Sequence, residues 1–178
     1  MSDNKKDQKK FVKKPFRPWN FEELTNRTAN QNEVQESPEA IWNSDFTLDF
    51  LNARGKRTLA EQLAIEFTAI GNDYLVAKMP VDERTTQPLG RLHGGASCAL
   101  AETVGSVAAN CCVDNQKYVC VGLEINANHI KAATEGFVYA KATPIHLGKT
   151  TQIWNIAIEK EEGTLVCISR LTMAILEK

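Results

Sequence analysis

One carboxylate stands alone in a long uncharged stretch. Residues 92–112 read LHGGASCALAETVGSVAANCC, and Glu102 is the only charged side chain among them. A carboxylate surrounded by Ala, Val, Gly and Cys is costly unless it is paired or faces a cavity. Desolvation favours the proton-bearing form of a carboxyl group, which suits a general base. The plainer alternative is a glutamate at a surface gap, or one bonded to a buried donor. His93-Gly94-Gly95 opens the same stretch. A helix beginning there would offer unpaired N–H groups and a partial positive charge. Glycine would let a ligand approach the backbone closely, so that a carbonyl set against it is polarised and its developing oxyanion stabilised. The alternative is a glycine turn packed under a sheet. The three histidines, His93, His129 and His146, are spaced 36 and 17 residues apart, which matches no zinc-binding helix motif. They are expected to orient a substrate or its phosphates, and no metal site is expected.

These groups need a helix and strands to hold them. Composition makes 92–112 a buried helix. Leu100, Val104, Val107 and Cys111 are expected on one apolar face, and Gly95, Cys98, Glu102, Gly105, Ser106 and Ala109 on a second, smaller one. Upstream, Ser37-Pro38-Glu39 resembles a helix start, and 47–54 reads as a short helix closed by Gly55. Strands are expected at 62–70 and 74–80, joined by the turn Gly71-Asn72-Asp73, and then at 117–126, 136–144, 151–160 and 164–175. Two strands, a buried helix and four strands fit an α+β domain with one antiparallel sheet wrapped around a central helix. The long strands near the C-terminus would leave an edge for a second subunit to cover.

Several motifs together carry a family resemblance. They are Gln87-Pro88-Leu89-Gly90-Arg91-Leu92-His93-Gly94-Gly95-Ala96, then Leu100-Ala101-Glu102, then Val121 to His129, then Pro144-Ile145-His146-Leu147-Gly148. Over roughly residues 40–178 the chain resembles hotdog-fold acyl-CoA thioesterases of the PaaI type. Within that family it is most similar to the groups acting on 1,4-dihydroxy-2-naphthoyl-CoA in menaquinone biosynthesis and in enterobactin-pathway proofreading. The resemblance implies that Glu102 is base or nucleophile and that the Gly94 amide polarises the thioester carbonyl. It implies that His93 and Gln87 place the thioester and that Ser106 lies near the carboxylate. It further implies substrate and CoA contacts from Gly122, from His129, Ile130, Lys131 and Ala132, and from His146, Leu147, Gly148, Lys149, Thr150 and Thr151. Lys131 and Lys149 would meet CoA phosphates as point charges, or are ordinary solvated lysines. No cofactor is implied. The alternatives are a non-catalytic acyl-CoA-binding module and a proofreading enzyme acting on acyl-carrier-protein thioesters.

Helix geometry speaks to assembly. Gly94 and Glu102 are eight residues apart, about 12 Å along a helix axis and about 80° around it. A carboxylate attacking a carbonyl must come within about 3–3.5 Å of its carbon, which a neighbouring subunit's Glu102 achieves more easily. A dimer or a dimer of dimers with shared sites is therefore expected, as in the resembled family.

Bulk properties narrow the class. A length of 178 residues with 43% hydrophobic content suits one domain with a sizeable core. The net charge of -1 makes no case for nucleic-acid binding, and no apolar run approaches the ~20 residues of a membrane span. Five cysteines without metal or redox spacing read as free thiols in a cytoplasmic protein. Residues 1–38 differ from the rest. Up to Pro18, seven basic residues stand against Asp3 and Asp7, which gives +5 there and -6 over residues 19–178. A disordered basic tail is expected; the alternative is a docking segment for an anionic surface, aided by Phe11, Phe16, Trp19 and Phe21.

Overall fold

The structure, a computed structural model, describes residues 39–178. The expected basic tail and the Ser37-Pro38 pair lie outside the described residues. Helix α1 (Leu48–Arg54) starts at Thr47, whose side chain accepts the Phe50 amide, and ends at Gly55. Helix α2 (Leu59–Gln62) is capped by Thr58. Then follow strands β1 (Glu66–Ile70), β2 (Leu75–Pro80), β3 (Thr86–Gln87) and β4 (Arg91–Leu92). Helix α3 (Gly94–Cys111) precedes β5 (Tyr118–His129), β6 (Phe137–Leu147), β7 (Thr151–Lys160) and β8 (Leu165–Glu177).

Six strands form one antiparallel sheet in the order β1-β2-β6-β7-β8-β5. It wraps around α3, which packs on β2, β5, β6, β7 and β8. Leu100 and Val104 are fully buried and share the core with Trp154, Ile156, Leu171 and Met173. The helix sits close to the sheet at Gly105, where an added Cβ would lie 2.6 Å from Leu171 Cδ2. The buried face is therefore wider than the expected stripe: Gly105 and Ala109 lie beneath the sheet, while Val107 and Cys111 are only half-buried. A helix seated in a concave sheet is covered over more of its circumference than one packed on a flat surface. Buried Gln152 ties the layers together, donating to the Ala109 carbonyl and accepting from the Trp154 indole, as a buried amide must.

Three sequence expectations change. Residues 39–47 hold no helix: the Ile41 amide and the Trp42 indole are bonded to Asn72 O and Gly71 O in the β1–β2 turn, and the Asn43 amide caps Cys111 O. The strand expected at 62–70 starts only at Glu66, because the capped turn of α2 and the positive φ of Ala64 occupy its first part. Among the described residues the sheet ends at β1 on one side and, on the other, the C-terminal strand β8 is enclosed between β7 and β5, which leaves β5 as that side's edge. Val121 and Leu123 are exposed on that edge.

Candidate active site

The start of α3 holds one group of candidate residues. His93 is the N-cap; its Nδ1 accepts the Gly95 amide at 2.8 Å, which leaves Nε2 as the protonated nitrogen of a neutral ring. The Ala96 and Ser97 amides donate to the His93 carbonyl. The Gly94 amide donates to no described residue, and it is the orphan that a helix N-terminus presents. His129, at the end of β5, stands over it: a Cβ on Gly94 would lie 2.7 Å from His129 Nε2. Only glycine allows that approach.

Beside this helix end is a cleft of about 210 Å³ lined by Gln87, His129, Ile130, Lys131 and Ala132, and also by Arg91 and Ser97. Gln87 and Arg91 are cross-strand partners in the β3–β4 ribbon, turned by Gly90 at φ 69. The Gln87 side-chain Oε1 accepts the Leu89 amide at 2.6 Å, so its NH₂ is the end left for a ligand. Sequence reasoning missed Arg91 and Ser97. The Pro88-Leu89-Gly90 turn was a usable signal for Arg91, because such a turn sets its flanking residues side by side.

A second group gathers around Glu102, which is half-buried rather than enclosed. Ser106 Oγ donates to Glu102 Oε1 at 3.0 Å, and Oε2 bonds no described residue. Gly122 of β5 lies directly beneath: a Cβ there would be 2.5 Å from Oε1. The β6–β7 turn is at this end too. Gly122 and Gln152 both pair with Met173 of β8, and Thr150 O accepts the Ile175 amide. His146 folds over Gly148, and Lys149 and Thr150 are exposed.

One chain does not bring the two groups together. His129 pairs with Cys167 and Gly122 with Met173; six residues of strand separate these levels by about 20 Å. Gln87, His93, Gly94 and His129–Ala132 sit at one end, and Glu102, Ser106, Gly122 and His146–Thr151 at the other. Each end touches β5, where Gly94 lies under His129 and Glu102 over Gly122.

Other nucleophiles are poorly suited. All five cysteines are free. Burial pushes Cys111 and Cys120 up to about 11 and Cys112 up to about 12, and raises Cys167 as well. These four thiols keep their protons at neutral pH, whereas a reactive cysteine needs the thiolate. Among the described residues no three His, Cys, Asp or Glu side chains cluster as metal ligands. No helix among them is long and apolar enough to cross a membrane.

Comparison with known proteins agrees with this architecture. Residues 89–167 match the model of the Thioesterase superfamily. The chain is 53% identical over 136 residues to 1,4-dihydroxy-2-naphthoyl-CoA hydrolase of Escherichia coli K12, spanning 76% of this chain and 99% of that protein. It is 48% identical over 136 residues to the proofreading thioesterase EntH of Cronobacter turicensis, spanning 76% and 98%. The crystal structure of a mutant thioesterase from Pseudomonas aeruginosa superposes with a TM-score of 0.77 at 47% identity, covering 78% of this chain and all of the other. With this degree of identity over nearly the whole of its relatives, the chain belongs to the thioesterase superfamily and has its hotdog fold.

Proposed function

We propose that this enzyme hydrolyses an aromatic acyl-CoA thioester, with 1,4-dihydroxy-2-naphthoyl-CoA as substrate, in a site completed by a second copy of the chain. One observation carries the reading. Among the described residues, a helix-start amide without an acceptor at Gly94 and a half-buried carboxylate at Glu102 lie at opposite ends of the same unpaired strand edge. A second β5 running antiparallel alongside, about a two-fold axis between Ile125 and Asn126, would set one chain's Gly122 opposite the other's His129. Exposed Val121 and Leu123 suit that contact. The interface is isologous and yields two identical sites.

In such a site the thioester oxygen accepts the Gly94 N–H, where charge develops as the carbon becomes tetrahedral. His93 Nε2–H and the Gln87 NH₂ hold the thioester from the same side. Glu102 of the other copy then takes a proton from water, whose oxygen adds to the carbonyl carbon, or it attacks that carbon itself and the resulting anhydride is hydrolysed. Ser106 orients the carboxylate by its bond to Oε1. The C–S bond breaks, CoA leaves as its thiol and the acyl group as a carboxylic acid; one water is consumed. Lys131 and Arg91 at one end, with Lys149 at the other, supply cations for CoA phosphates. His129–Ala132 and His146–Thr151 frame the substrate. Two such dimers forming a tetramer, and a cytoplasmic location for a chain with five unpaired cysteines, complete the assignment.

The naphthoyl group rests on the 53% identity to the Escherichia coli hydrolase. The 48% identity to EntH favours a second reading, proofreading of carrier-protein thioesters. Thiol release from 1,4-dihydroxy-2-naphthoyl-CoA, palmitoyl-CoA and an aryl-carrier-protein thioester separates them. The expected kcat/KM for the naphthoyl thioester exceeds that for palmitoyl-CoA by about 100-fold or more. A preference for the carrier-protein substrate selects the second reading, and tight CoA-ester binding without thiol release defeats both.

Gly122 supplies an independent check. In Gly122→Ala the methyl group meets Glu102 Oε1 at 2.5 Å, so the carboxylate or the strand must shift. A displacement of about 1 Å in a reacting group costs on the order of 10²-fold in rate. The expected result is that loss in kcat with an unchanged circular-dichroism spectrum; full activity would separate Glu102 from the chemistry.

A further inference from the structure

We propose that Asn110 is a positioning residue, which sets the gap between Glu102 and strand β5; the proposal rests on the hydrolytic role of Glu102 given above. Glu102, Ser106 and Asn110 lie four residues apart and so share one line along α3. The Asn110 amide donates to the Ser106 carbonyl at 2.9 Å and to the Cys120 carbonyl at 3.0 Å, and its Oδ1 accepts the Cys120 amide at 2.9 Å. One side chain thus closes both backbone groups of Cys120, as a neighbouring strand would. Cys120 pairs with Ile175, whose own amide is turned to Thr150, so the Cys120 groups face away from β8 and would otherwise lie on the free edge.

Two residues further along β5 is Gly122, the floor under Glu102 Oε1. Ser106, whose carbonyl Asn110 also holds, is the donor to that same oxygen. The amide therefore fixes both the strand beneath the carboxylate and the peptide of the serine beside it, without touching the carboxylate. It also fills the edge at Cys120, so that inter-chain pairing along β5 is left to begin beyond that residue. An unpaired strand edge is a site of pairing in unwanted registers, and here a shifted register would misplace Glu102 against the second copy's Gly94.

The molecule contains its own control. Asn52 makes the same two-armed clamp on Phe67 of β1, donating to its carbonyl at 3.1 Å and accepting its amide at 2.8 Å. That clamp is on the opposite edge of the sheet, away from Glu102. A purely structural asparagine at 110 would behave as Asn52 does.

The test compares Asn110→Ala, Asn110→Asp, Asn52→Ala and Glu102→Ala in the full chain, measuring melting temperature, kcat and KM for 1,4-dihydroxy-2-naphthoyl-CoA. Asn110→Ala and Asn52→Ala are each expected to melt roughly 4–8 °C lower. Only the Asn110 variants lose kcat, by about 10- to 100-fold, with KM within about threefold because the residue touches no substrate. Asn110→Asp keeps the shape and the bond from the Cys120 amide, and it serves as the readout where Ala does not fold. A folded Asn110 variant with wild-type kcat overturns the proposal, as does an equal kcat loss in Asn52→Ala. Wild-type turnover in Glu102→Ala would instead overturn the hydrolytic reading on which it rests.

Discussion

Glu102→Ala is expected to fold, melt close to the wild type and lose about 10³-fold or more of its kcat. A positioned general base contributes typically 10²–10⁴-fold, and a carboxylate acting as nucleophile contributes at least as much, since its loss removes the covalent route altogether. Retention of the fold follows from the surroundings. Glu102 is half-buried and bonded only to Ser106 among the described residues; the fully buried side of α3 is made by Leu100, Ala101, Val104 and Gly105. Alanine is a better helix former than glutamate by a few tenths of a kcal/mol, and it relieves a partly desolvated carboxylate of its cost. The stability change is therefore expected within about 1 kcal/mol. Thiol release and a thermal melt measure the two quantities. A folded variant with wild-type turnover would remove Glu102 from the chemistry, and none of the other described carboxylates is packed as closely against both a serine and a strand glycine.

Two inactive variants are expected to make an active enzyme when they share a dimer. Gly94→Val drives a side chain into the His129 ring, 2.7 Å away, and disables the amide end of the site. Glu102→Ala disables the carboxylate end. If each site takes one end from each chain, a mixed dimer has one site with both ends intact and one with neither. Random assortment makes half the dimers mixed, so co-expressed variants should recover about a quarter of wild-type activity. Each variant alone should remain below about 1%. The effect is a large rise from two silent parents. Co-purification through two different tags, followed by thiol release, measures it. Mixed dimers as inactive as their parents would mean that both ends of the site come from one chain, and that the gap from Gly94 to Glu102, about 12 Å along the helix axis, is closed by some movement within it.

The features readable from the order of residues were local ones. Helix α3 was legible because 18 residues of small and apolar type are bounded by a capping histidine and a polar turn. Strand β7 was legible to the residue, Thr151–Lys160, because the turn signals Leu147-Gly148-Lys149 and Glu161-Glu162-Gly163 bracket it. The family, and with it the fold, followed from motifs that each span only a few residues. Errors arose where local signals compete: the apolar alternation of Leu63, Ile65 and Phe67 suggests one strand, yet Thr58 caps a helical turn that occupies its first part.

The remainder came from the way the strands pair. The sequence carries Gly94, Glu102, His129 and His146–Thr151 as one list of site residues, and only the pairing of β8 with both β5 and β7 puts them at two ends of a strand. The same pairing makes β5 the free edge and places Cys120 within reach of Asn110. Periodicity reports which face of its own element a residue occupies. Which strand lies next to which, and in what register, depends on contacts between residues far apart in the chain, and no window along the sequence contains them.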